Sequence, residues 1–63
     1  MTAGDIVIIK HLPDWGECRI KEVYGSDDNL YYEVSPLKTD GITFLMGLRE
    51  KDLQLIKDED NGG

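Results

Sequence analysis

Four consecutive aliphatic residues, Ile6-Val7-Ile8-Ile9, stand near the start of this 63-residue chain, bounded by Gly4 and Pro13. All four are β-branched, a type that suits extended backbone. Successive side chains of an extended run point to opposite faces, so this run is apolar on both. Such a strand belongs in the middle of a sheet, or in a sheet curled into a barrel. A chain this short buries only about 60% of the surface its unfolded state exposes. The rest of the architecture therefore has to be built around that one strand.

Turn-forming residues cut the remainder into short pieces. His11 to Glu17 reads as a loop, in which Pro13 fixes φ and Gly16 supplies flexibility. Cys18 to Tyr24 reads as a second strand, with Cys18 and Ile20 on one side and Arg19 and Lys21 on the other. Ile20 and Val23 break that alternation, which predicts a β-bulge near Glu22. Gly25-Ser26-Asp27-Asp28-Asn29 holds only turn-forming types. Leu30 to Leu37 reads as a third strand, with Leu30, Tyr32 and Val34 facing one way and Tyr31, Glu33 and Ser35 the other. Pro36 ends it or marks an edge. Thr39-Asp40-Gly41 reads as a turn, and Ile42 to Met46 as a fourth strand that Gly47 closes or bends.

Leu48 to Ile56 admits two readings. Leu45, Leu48, Leu55 and Ile56 nearly fit helical spacing, but Gly47 inside such a helix costs about 1 kcal/mol. The expectation is one helical turn, Arg49 to Asp52, and a last strand, Leu53 to Ile56. The alternative is a four-stranded meander with a C-terminal helix. Residues 1–56 then make a single domain, and the polar, acidic stretch 57–63 is expected to be a disordered tail.

Staples that often support small scaffolds are missing. Cys18 is the only cysteine, so no intramolecular disulfide forms, and one Cys with one His falls short of a structural zinc site. A single cysteine fits a reducing compartment. The first ten residues lack a basic n-region and a long apolar h-region, and no run approaches the roughly 20 apolar residues that span a bilayer. The expectation is a cytoplasmic protein. The formal charge is −6, from 13 acidic and 7 basic residues, with the bases interspersed among acids. Binding to a phosphate backbone needs clustered cations, so nucleic acid is disfavoured as a direct ligand.

Five short strands, a loop after the first, a turn-rich middle hairpin and a one-turn helix before the last strand look like a small SH3-like barrel. The chain resembles the KOW-type and related SH3-like modules of bacteria and phages. The residues that carry the resemblance are Gly4-Asp5 at the start, Gly16 ahead of the second strand, the Ile20-x-x-Val23 spacing and Asp52-Leu53 before the last strand. The resemblance implies an all-β, five-stranded SH3-like fold. Cys18 stands where the KOW pattern usually has glycine, and the basic loops behind the family's RNA binding are missing.

The candidate contact residues are aromatic and acidic. Trp15 sits in the first loop, and Tyr24 and Tyr31 lie beside the middle hairpin; Tyr32 and Phe44 read as core. Loop aromatics can line a peptide groove or a cage for a cation, where each cation–π contact contributes about 0.5–2 kcal/mol. Asp14, Asp27 and Asp28 would favour a cationic guest. The partner-binding set expected from sequence is Asp14, Trp15, Glu17, Tyr24 and Tyr31. His11, Asp14, Glu17 and Cys18 match no metal-ligand spacing, and Cys18 as a nucleophile would need His11 as its base. No catalytic, cofactor or metal residue is expected. The terminal Gly62-Gly63 resembles the end of ubiquitin-like sulfur carriers, but a turn and strand follow the first hairpin here where those proteins have a long helix.

These features point to a non-enzymatic protein-interaction module or accessory subunit. The alternative is an acidic regulator or inhibitor, phage-encoded in one version, that occupies the basic site of a nucleic-acid-binding protein. Against it, residues 1–56 carry 10 acids and 6 bases, a net of −4, which is moderate.

Overall fold

A computed structural model describes residues 1–39 and 42–57. The fold is all-β: β1 (Ile6–Ile9), β2 (Glu17–Ser26), β3 (Asn29–Pro36), β4 (Leu45–Leu48) and β5 (Leu53–Lys57). Three single 3-10 turns, Pro13–Trp15, Leu37–Thr39 and Glu50–Asp52, lie between strands. The strands form one antiparallel sheet in the order β4-β3-β2-β1-β5. β1 is flanked by β2 and β5, with Val7 and Ile9 buried on one face and Ile6 and Ile8 half-buried on the other. Among the described residues β4 and β5 each pair with one neighbour, so hydrogen bonds do not close the sheet into a ring.

The core is Val7, Ile9, Cys18, Ile20, Tyr32, Val34, Leu48 and Leu53, with Met1, Leu12, Trp15, Val23 and Leu45 packed against it. A bulge in β2 makes this core possible. Ile20 pairs with Val34 and Glu22 with Glu33, so Lys21 is left over. The extra residue resets the alternation, and Val23, opposite the buried Tyr32, turns inward as Ile20 does. The β2–β3 hairpin is tighter than the five-residue turn read from sequence. Ser26 pairs with Asn29, which leaves Asp27 and Asp28 at the tip. Gly25 adopts φ +108°, and a Cβ there would collide with the carbonyl oxygen of Asn29.

The fourth strand corrects the sequence reading. It runs from Leu45 to Leu48, beyond the expected Ile42–Met46, and Gly47 lies inside it at φ +80°. Leu45 pairs with Val34 and Leu48 with Tyr32, so two residues between them on β4 face one on β3. The bulge turns Leu45 and Leu48 inward. Phe44, which reads as core from sequence, is instead 49% exposed, beside Ile42 at 84% and Met46 at 53%. Leu30, grouped with Tyr32 and Val34 by alternation, is exposed near the hairpin tip.

The stretch after β4 follows the preferred reading. Asp52 N donates to Arg49 O at 2.9 Å, and Arg49 N donates to the Asp52 carboxylate at 3.1 Å, closing a single turn. β5 then pairs Leu53 with Ile9 and ends at Lys57. No α-helix occurs among the described residues, so the meander-plus-helix alternative falls. The Asp40-Gly41 part of the expected turn and the stretch 58–63 of the expected tail lie outside the described residues. Among the described residues no helix is long and apolar enough to cross a membrane.

Candidate interaction surface

The expected contact residues fall into two groups. The first is on the β1–β2 connection. Trp15 N donates to Leu12 O and Gly16 N to Pro13 O, each at 3.0 Å, and Gly16 at φ +67° ends the turn. Trp15 is held half-buried against the core, in the manner of a cap. The Lys38 ammonium donates to the Asp14 carbonyl at 3.1 Å, tying the turn after β3 to this loop. Glu17, opposite Ile8, is exposed. Cys18 is fully buried; its thiol donates to Gly16 O at 3.4 Å, and burial pushes its pKa up, which disfavours the thiolate.

The second group lies on the outer face of β2 and β3. The β2 bulge that turns Val23 inward turns its neighbour Tyr24 outward, directly across from Tyr31. Their rings stack with centroids 5.9 Å apart and planes 23° from parallel. The Tyr24 hydroxyl accepts a hydrogen bond from Gly47 N at 2.8 Å, so a ring on β2 is anchored to a bulge on β4. The Arg49 guanidinium lies 4.8 Å from the Tyr31 centroid. Further along this face Lys21 sits 5.5 Å from the Phe44 ring and 3.9 Å from the Glu33 carboxylate.

Beside the stacked tyrosines is a depression of about 300 Å³, lined by Asp27, Asp28, Leu30, Arg49, Glu50 and Lys51. The hairpin tip supplies one side and the turn before β5 the other. Among the described residues no hydrogen bond or ring contact joins this group to Asp14, Trp15 or Glu17, and no cluster of carboxylates, His and Cys could hold a metal.

Arg49 and its neighbours Glu50 and Lys51 were not legible as contact residues. They are more than 15 positions along the chain from Tyr31, and only the crossing from β4 to β5 brings them alongside. Asp27 and Asp28 did carry a signal, as acids at a turn.

No protein-family model matches the chain, and no curated protein or solved structure is significantly similar to it.

Proposed function

We propose that this protein is a non-enzymatic interaction module or accessory subunit of SH3-like build, acting in the cytoplasm on a protein partner. The strand order, the long bulged second strand and the single helical turn before the last strand support the SH3-like reading. The observation that carries the interaction reading is the braced Tyr24–Tyr31 stack beside a concave, charged surface. Aromatic side chains held in place contribute contact area with little entropy left to lose on binding. Trp15, with Asp14 and Glu17, supplies a second contact region on the first loop.

The test is affinity capture with the intact chain, with and without nuclease, comparing wild type with Tyr31→Ala and Trp15→Ala. A nuclease-resistant protein partner lost with Tyr31→Ala, and held by wild type through about 0.5 M salt, supports the module. A partner that both variants keep and salt releases overturns it in favour of the acidic regulator of a nucleic-acid-binding protein. Recovery of nucleic acid itself would make the chain a KOW-like binder.

A further inference from the structure

We infer that the depression between the β2–β3 hairpin tip and the turn before β5 takes a peptide segment carrying both signs of charge, a Lys or Arg close to an Asp or Glu. The inference rests on the interaction-module reading and names the chemistry of its partner. Five of the six lining residues are charged: Asp27, Asp28 and Glu50 are acids, Arg49 and Lys51 bases. None of the five pairs with another within 4 Å, although they line one concavity. Their backbones explain why. Asp27 and Asp28 are held at the tip of a two-residue hairpin, and Arg49 to Lys51 by a turn closed on itself. Arg49 is also drawn onto the Tyr31 ring. The hairpin tip thus presents two acids, and the turn opposite presents two bases flanking Glu50, across a gap they do not close themselves.

A ligand with a single charge would meet a repelling side as well as an attracting one. A segment with both charges can set its cation against Asp27 and Asp28 and its carboxylate against Lys51. Its apolar stem then covers Leu30, which is 38% exposed. The volume of about 300 Å³ is at the low end for ligand sites and suits two or three residues of peptide.

The probe is a set of blocked pentapeptides titrated into the 15N-labelled full chain: acetyl-Gly-Arg-Ala-Glu-Gly-amide, its Arg-to-Gln version and its Glu-to-Gln version. The expected result is amide shifts confined to residues 27–31 and 49–52, with the doubly charged peptide binding about threefold or more tightly than either singly charged one. Asp27→Asn with Asp28→Asn, which keeps turn-compatible residues at the tip, should abolish the advantage of the Arg. Lys51→Gln should abolish the advantage of the Glu. Equal binding of all three peptides, shifts elsewhere, or binding that survives both variants would overturn the inference. A partner captured through Tyr31 together with no preference for the double charge would refute this inference and leave the module reading standing.

Discussion

At the residue scale, two positions hold the surface in shape. Gly25 combines a left-handed backbone with a carbonyl where a Cβ would go. Gly25→Ala should destabilise the fold by about 2 kcal/mol or more, read from urea denaturation, because strain and steric conflict add. Tyr24 acts through its hydroxyl. Tyr24→Phe keeps the ring stack and removes the acceptor for Gly47 N. The expected cost is about 1 kcal/mol, and the Gly47 amide should exchange its hydrogen faster. An unchanged Gly47 exchange rate would show that the hydroxyl does not hold β4.

Buried Cys18 and Tyr32 give the fold a pH dependence of definite sign. Burial raises both pKa values in the folded state, for Tyr32 with the added repulsion of Glu50. The folded protein therefore retains protons that the unfolded chain gives up, and stability falls as pH rises between the two pKa values. It should be intact with respect to these groups below the ordinary thiol value of 9.0 and decline progressively above it. Thermal melts of wild type and Cys18→Ala across pH 8 to about 11 check this. The variant should start lower, because it leaves a cavity, and fall less steeply with pH.

At the element scale, the edge strands are the weak parts. β5 contributes one buried side chain, Leu53, and β4 likewise one, Leu48. Leu53→Ala should cost about 2–4 kcal/mol. For a domain of this length that is a large share of the roughly 3–9 kcal/mol available. The elements themselves were mostly readable in the residues. β1 follows from its β-branched run, β2 from alternation between turn residues, and the bulge from Ile20 and Val23 sharing one side of that broken alternation. Leu53 as a strand start follows from the rejection of a helix through Gly47. The expected strand over 42–46 starts too early because Ile42 to Met46 are all strand-favouring or apolar residues set ahead of Gly47. The actual register of β4 depends on Gly47 entering φ +80° inside the strand, a conformation open to glycine, and on Leu45 and Leu48 pairing with β3.

At the scale of the whole molecule, charge and topology set what the surface can do. A net charge of −6 on 63 residues repels itself. Raising salt from low ionic strength to about 0.5 M should raise the melting temperature by screening that repulsion. A drop would mean that local attractions, such as Lys21 with Glu33, outweigh it.

The amino-acid sequence by itself determined the strand-rich class, the interior place of Ile6–Ile9 in the sheet, the bulged second strand and the turn at Asp27-Asp28. Each depends on neighbours within a few residues, through alternation, β-branching and turn chemistry. Only the tertiary structure decided that Phe44 is exposed, that Tyr24 is anchored to Gly47, and that Arg49 lies on Tyr31 at the edge of a charged depression. Those facts depend on which strands cross and in what register. The bulge at Gly47 and the crossing from β4 to β5 set these, and neither shows in the residues of 42–51 taken alone.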